Sequence, residues 1–141
     1  MKKAYYCLTF FYADQQNNQH FFMIGYFSKL ENARDTIKTL SSKNGFEEFG
    51  GEFVIKKKFV HFRKTPSKEK CLTLFELSHE YFNEQGYDVS VIIGIFPSYT
   101  EAEKRMLSLK DSPPFCIYPE GFMISEIKVD SHEWDEGFES W

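Results

Sequence analysis

Histidine and cysteine are the first residues to examine for nucleophilic, acid–base or metal chemistry in this chain. The four histidines, His20, His61, His79 and His132, fall in predicted loops or at strand ends. None lies beside a serine, cysteine or aspartate in a recognisable nucleophile context, so each is interpreted as a solvated surface residue. The cysteines form no CxxC pair and have no nearby histidine at metal-ligand spacing. The sequence therefore predicts neither a catalytic triad nor a metal site, and no enzyme.

The number and setting of the cysteines indicate the compartment. Cys7, Cys71 and Cys116 are interpreted as buried apolar side chains in a reducing environment. A bridge between Cys7 and Cys71 is conceivable if the strands that carry them pair, but the odd total favours the cytoplasm. No apolar run approaches the roughly 20 residues that cross a bilayer, and Gly50-Gly51 lacks the lysine of a phosphate loop. We expect a soluble, unexported protein without a cofactor or a membrane partner.

The C-terminus, residues 130–141, combines five acidic residues with two tryptophans and a phenylalanine. Tryptophan is enriched at interface hot spots, and carboxylates around it suit a basic partner. In the alternative interpretation, Trp134 and Phe138 pack back against the sheet and the carboxylates are merely solvated. The predicted partner-binding residues are Glu120, Asp130, Glu133, Trp134, Asp135, Glu136 and Phe138.

Charge is distributed unevenly along the chain. Residues 1–70 hold 13 Lys and Arg against 7 Asp and Glu, whereas residues 71–141 hold 4 against 14. The halves therefore carry +6 and −10, which sum to the net charge of −4, and we expect a strong dipole. The run Lys56–Lys58 is the natural candidate for contact with nucleic acid. Exposed strand lysines also guard against edge pairing, and no nucleic-acid-binding motif is present, so the sequence disfavours that partner.

The elements that must position these residues are duplicated. At a constant offset of 69, Gly25 falls on Gly94, Ala33 on Ala102, and six further identities follow. The string that begins at Cys7 also matches the one at Cys71, at an offset of 64. This second match predicts five extra residues in the following loop of the second copy.

Each copy reads as strand, strand, helix, strand. In the first, residues 4–13 and 21–27 are rich in β-formers, and 53–60 returns to strand. The helix between them carries apolar residues at spacings of three, four and three, and Ser28 with Glu31 predicts a capping box. In the second copy Ser98 with Glu101 repeats the box, and residues 78–85 are interpreted as a long hairpin loop. An aromatic staple joins helix to strand in both copies, with Phe46 and Phe53 matching Phe115 and Phe122.

These patterns predict an α+β fold in which tandem duplicated β-β-α-β units form one pseudo-twofold domain. The repeats span residues 4–60 and 71–129, and the acidic aromatic tail spans 130–141. A basic connector, residues 61–70, joins the repeats.

The second copy resembles a family of short bacterial proteins of unassigned chemistry with a YPEGF string and a tryptophan before EGF. Here the strings are residues 118–122 and 134–138, preceded by Ile93-Gly94-Ile95-Phe96. The first copy has Gly50-Gly51-Glu52-Phe53 instead, and the chain departs from the family by being double. Members resemble the small acidic immunity proteins of toxin–immunity gene pairs, including those of contact-dependent growth inhibition.

The resemblance and the acidic tail lead to one main functional hypothesis. The protein is expected to be an immunity protein that blocks a cognate bacterial toxin, a cationic nuclease, by occupying its active-site cleft. The alternative is a regulatory or sensory module that binds a small ligand between the two copies.

Overall fold

The computed structural model describes residues 1–138 of the chain. The first repeat forms strands β1 (Lys2–Ala13) and β2 (Gln19–Phe27), helices α1 (Leu30–Leu40) and α2 (Phe46–Phe49), and strand β3 (Glu52–His61). Its sheet has the order β2-β1-β3.

The second repeat has the same order of strands and main helix, without a helix in the place of α2. It forms strands β4 (Thr73–Phe82) and β5 (Asp88–Phe96), helix α3 (Tyr99–Leu109) and strand β6 (Phe122–Lys128), in a sheet of order β5-β4-β6. Short 3-10 helices, Lys70–Leu72 and Pro119–Gly121, precede β4 and β6. Two three-stranded antiparallel sheets with accompanying helices confirm the predicted α+β class, and the two similar halves agree with a duplicated unit.

The pairing register shows that the duplication extends without a gap through the first strand of each copy. Leu8 pairs with Gly25 as Leu77 pairs with Gly94, and each hairpin then shifts register by one residue. The offset is 69 throughout, so the match of Cys7 with Cys71 at an offset of 64 was wrong. Cys71 lies in the 3-10 helix before β4, and Cys7 corresponds to Glu76. Short strings of apolar residues recur by chance, whereas register is set by the whole hydrophobic face of a strand.

The two hairpin loops confirm this register because they have equal length and the same hydrogen bonds. The Asp14 carboxylate accepts the amides of Gln16 and Asn18, each at 2.9 Å. In the second copy the side-chain oxygen of Asn83 accepts the amides of Gln85 and Tyr87, each at 3.0 Å. Local side-chain acceptors of this kind fix the turn without help from distant residues.

Residues 78–82 continue strand β4, which corrects the predicted loop over 78–85. The aromatic and histidine side chains there gave no turn signal, and only residues 83–87 between β4 and β5 form the loop. As a consequence, His79 lies inside a strand with its side chain buried, so its assignment to the solvated surface was also wrong.

Helix capping differs between the copies. The Ser98 hydroxyl accepts the Glu101 amide at 3.2 Å, as the capping box predicts. Helix α3 begins directly after Ser98, whereas helix α1 begins two residues after Ser28. The N-cap of α1 is therefore Lys29, and no side chain caps the helix. Ser28 is therefore outside the cap position, and its predicted box with Glu31 is wrong.

The chain divides into two compact units. One, here the first-repeat unit, comprises Lys2–Phe59 together with the chain from Lys128 onward; the other, the second-repeat unit, comprises Met1 and Val60–Ile127. In the first-repeat unit, Phe10, Leu40 and Phe46 belong to a buried core on which the helix and the staple pack. The staple recurs as predicted: Phe46 stacks on Phe53 at 5.5 Å between ring centroids, and Phe115 on Phe122 at 5.2 Å.

Candidate partner-binding surfaces

The acidic tail belongs to the first-repeat unit, although it follows the second repeat in sequence. Counted over the described residues, the first-repeat unit holds 10 Lys and Arg against 10 Asp and Glu, and the second-repeat unit holds 7 against 10. The carboxylates of the tail thus offset the lysines of the first repeat. The predicted difference of charge between the two sequence halves is therefore much smaller between the two compact units. The interaction of charges depends on their distance in space and not on their separation in sequence.

Asp130 fixes the start of the tail. Its carboxylate accepts the amide and the hydroxyl of Ser28, at 2.9 and 2.6 Å, and the amide group of Asn32 at 3.2 Å. Its own N–H donates to the Tyr26 carbonyl at 2.8 Å. A carboxylate beside the first turn of α1 also complements the helix dipole. Asp130 therefore ties the residues on both sides of the N-cap of α1 to the tail, while the helix itself has no side-chain cap.

The aromatic residues of the tail pack against the sheet, which is the second of the two interpretations left open by the sequence. Trp134 stacks on Phe22 with ring centroids 4.2 Å apart and an angle of 14°. Phe138 lies 4.9 Å from both Phe22 and Phe46, and its amide donates to the Asn44 carbonyl at 2.9 Å. Both side chains pack against the core of the first-repeat unit. Trp141 and Glu139 lie outside the described residues.

The remaining carboxylates of the tail stay at the surface. Glu133, Asp135 and Glu136 are exposed, on a backbone whose neighbouring aromatic side chains are packed. His132 accepts the Trp134 amide at Nδ1, 3.1 Å away, and its Nε2 lies 3.6 Å from the Asp135 carboxylate. The tail therefore displays three acidic groups from an ordered segment.

Glu120, the seventh predicted residue, belongs to the second-repeat unit and lies outside the unit that holds the tail. It is exposed in the 3-10 helix before β6 and lines a cavity of about 590 Å³. Glu80, Tyr81 and Tyr118 line the same cavity. Sequence reasoning did not select these last three residues.

A second carboxylate at this cavity is electrostatically strained. Glu80 and Asp88 lie on one face of the β4–β5 hairpin, as diagonal neighbours. A hydrogen bond to Asp88, charge repulsion from the same group and a small loss of hydration together raise the pKa of Glu80 above its ordinary value. The pair therefore concentrates acidic groups on this face of the hairpin.

His79 is the buried polar side chain of the second repeat. Its Nε2 lies 2.8 Å from the Tyr118 carbonyl, and a carbonyl only accepts, so Nε2 carries the proton. Nδ1 is then an acceptor, and it receives no hydrogen bond from any residue in the described chain. The ring packs edge-on against Phe115 and Phe122, at 4.8 and 4.9 Å. An alignment at offset 69 would have placed His79 on Phe10, a core position.

Other chemistry-bearing groups remain dispersed. Cys7 is buried, Cys71 half-buried and Cys116 exposed, so the predicted burial is confirmed for Cys7 alone, and among the described residues none of the three forms a disulfide. Within residues 1–138, no three His, Cys, Asp or Glu side chains are grouped where they could hold a metal ion. None of the helices described is long and apolar enough to cross a membrane.

Comparisons with protein-family models, curated proteins and solved structures give no match to this chain. The arguments on function therefore depend on the surfaces described above.

Replacing Trp134 with alanine should lower the stability of the free protein. Replacing a fully buried tryptophan or phenylalanine with alanine typically lowers the free energy of unfolding by about 3 to 5 kcal/mol. Because Trp134 is half-buried, we expect a loss of about 2 to 3 kcal/mol. Denaturant unfolding of the purified chain measures this difference. Asp135→Asn, one residue away and exposed, is the matched control and should change stability by less than about 0.5 kcal/mol. A Trp134→Ala protein that unfolds like the parent would mean that the tail does not pack on this unit.

Replacing Glu80 with glutamine should raise the melting temperature at pH 7 and leave it nearly unchanged near pH 3.5. Because the pKa of Glu80 is raised on folding, its contribution favours the folded state at low pH and is lost as the pH rises through that pKa. Glutamine removes the repulsion from Asp88 at neutral pH. Melting curves at both pH values measure the effect, with Glu103→Gln on α3 as the control for net charge. Equal shifts at both pH values would show that the carboxylate pair is not the cause.

Proposed function

We propose that this protein is a non-catalytic inhibitor that binds a cognate bacterial toxin, in the manner of an immunity protein. The observation that carries the proposal is the ordered tail, in which Glu133, Asp135 and Glu136 are exposed while Trp134 and Phe138 are packed. Carboxylates held on a fixed backbone lose little freedom when a partner binds.

The chemistry of these groups favours a basic partner. Three exposed carboxylates within four residues can substitute for the phosphates that a nuclease active site recognises. A cationic nuclease domain is therefore the toxin class proposed, and its active-site cleft is the surface that the protein covers. The sequence resemblance to immunity proteins supports the same assignment.

The proposal predicts that a neighbouring gene encodes a toxin, and coexpression of this protein with that gene tests it. The parent protein should restore growth of a sensitive host, and the purified pair should form a complex whose association slows with salt. Charge reversal of Glu133, Asp135 and Glu136 to lysine should slow association and weaken that salt dependence.

The matched control reverses three exposed carboxylates elsewhere, Asp35, Glu47 and Asp111, and so makes the same change in net charge. This control should retain rescue and most of the association rate. If no neighbouring gene encodes a toxin, or if coexpression with a toxin leaves growth inhibited, the proposal is wrong.

A second candidate, a small-ligand-binding module, is favoured by a cavity of about 390 Å³ in the second-repeat unit. Arg63, Lys64 and Lys70 line it together with the hydroxyls of Ser67 and Ser98, and Glu101 forms an ion pair with Arg63 at 3.1 Å. Cationic and hydroxyl donors of this kind suit a small anion such as a phosphorylated metabolite.

Thermal-shift screening against phosphorylated metabolites should reveal such a ligand if this candidate is correct. A ligand at one hundred times its dissociation constant adds about 2.7 kcal/mol to the free energy of unfolding. The variant Lys70→Ala should lose the shift, whereas Lys110→Ala, outside the cavity lining, should keep it. A flat screen would count against this candidate and leave toxin binding as the proposal.

A further inference from the structure

A groove beside the start of helix α3 carries the opposite charge to the rest of its unit. Besides the 390 Å³ cavity described above, the second-repeat unit contains a cavity of about 430 Å³ that is lined in part by Lys104. Phe62, Arg63 and Glu101 line both cavities, so the two adjoin. We name the combined surface the basic groove, after its cationic side chains Arg63, Lys64, Lys70 and Lys104.

The cations of this unit are concentrated in the groove. Four of its seven Lys and Arg line the two cavities, whereas only one of its ten Asp and Glu, Glu101, does so. That carboxylate pairs with Arg63 at 3.1 Å. Lys64, Lys70 and Lys104 are exposed and form no ion pair within residues 1–138. Three uncompensated cations around one concave surface attract a ligand that carries several negative charges.

The first repeat shows that an acidic segment fits at the start of the corresponding helix. There the Asp130 carboxylate of the tail accepts hydrogen bonds from Ser28 and Asn32, beside the N-cap of α1. At the offset of 69, His61 takes the position of Asp130, and it lines the 430 Å³ cavity. The second repeat therefore supplies no carboxylate at that position, and lysines line the same groove.

The chain itself contains an acidic segment of matching charge. Glu133, Asp135 and Glu136 are exposed on the ordered tail, and none of them forms an ion pair with lysine or arginine within the described residues. They match the unpaired lysines of the groove in number and are opposite in sign. The tail is also present at the same concentration as the groove in every solution of this protein, whereas a free anion has to be supplied.

We propose that the tail of one copy of this protein binds the basic groove of a second copy. Glu133, Asp135 and Glu136 contact the lysines of the groove, and salt weakens the association because exposed ion pairs are screened. The self-association follows from these two surfaces alone. Its consequence for the toxin rests on the proposed function: since the same carboxylates contact the toxin, a tail that is bound to a second copy is not available to it.

Sedimentation of the purified full chain measures the association. At low salt, about 20 mM, the average mass should rise above that of one chain as the protein concentration increases. At about 500 mM salt it should return to the mass of one chain, because the Debye length becomes shorter than the span of the contact. NMR signals of the groove and of the tail should both shift with concentration at low salt, whereas those of the hairpin loop, residues 83–87, should not.

Exchanging the charges identifies the two surfaces. The groove variant carries Lys64→Glu, Lys70→Glu and Lys104→Glu. The tail variant carries Glu133→Lys, Asp135→Lys and Glu136→Lys. Each variant alone has a groove and a tail of the same sign, so its self-association should weaken by about tenfold or more. A mixture of the two variants should associate again, because each groove then meets a tail of opposite charge.

Matched controls make the same change in net charge at exposed positions outside both cavities and outside the tail. The control for the groove variant carries Lys38→Glu, Lys56→Glu and Lys110→Glu. The control for the tail variant is the reversal of Asp35, Glu47 and Asp111 described above. Both controls should associate within about threefold of the parent, since long-range repulsion is screened and the contact itself is intact. Thermal unfolding of each variant verifies that it is folded.

Four results would overturn the proposal. They are a parent protein that remains a single chain at low salt, controls that lose association as fully as the groove and tail variants, a mixture of those variants that does not associate, and concentration-dependent NMR shifts that leave out the groove or the tail.

Growth rescue separates this inference from the proposed function. The groove variant keeps the parent tail, so it should rescue growth at least as well as the parent if the tail contacts the toxin. If the parent associates with itself but rescues growth from no neighbouring toxin, the self-association stands and the proposed function fails. If the parent rescues growth but remains a single chain at low salt, the proposed function stands and the self-association is wrong.

Discussion

The packing of Trp134 and Phe138 on the first repeat is the interaction on which the rest of the structure depends. A three-stranded sheet with two short helices buries little apolar surface, so the aromatic face around Phe22 and Phe46 needs a further layer. The chain supplies it from its own C-terminus: Phe138 follows Phe46 by 92 residues, and Trp134 follows Phe22 by 112. Asp130 sets the entry of that segment by accepting hydrogen bonds from Ser28 and Asn32. One ordered segment thus completes a core, holds the start of α1 and displays carboxylates.

Duplication makes the consequence of this constraint visible, because a chain with two copies of a unit has one tail. The first repeat is covered by the tail, and the second keeps an exposed Val91 and a cavity bordered by Glu80 and Glu120. The two copies also differ at the central position of the core. Phe10 at the centre of the covered core corresponds to His79, whose Nδ1 accepts no hydrogen bond from the described residues. A polar group at such a position is costly unless something else supplies a donor.

Each of the two compact units presents acidic residues at a surface of its own. In the first-repeat unit the acidic tail offsets the lysines of the repeat, so negative charge is presented locally, at Glu133, Asp135 and Glu136, over a unit without net charge in its described residues. In the second-repeat unit the excess of acidic residues includes the Glu80–Asp88 pair. Each surface combines carboxylates with neighbouring aromatic side chains, and the proposal of a basic partner rests on that combination.

The sequence by itself determined the α+β class, the duplicated order of strands and helices, and the aromatic staple of Phe46 and Phe53, because periodicity and local turn chemistry act over a few residues. It also singled out the tail and Glu120 as candidates. Only the tertiary structure decided that the tail covers the first repeat and that Ser28 donates to Asp130 instead of capping α1. These outcomes depend on contacts between residues about 100 positions apart in the case of Ser28 and Asp130, and no local pattern encodes such pairings.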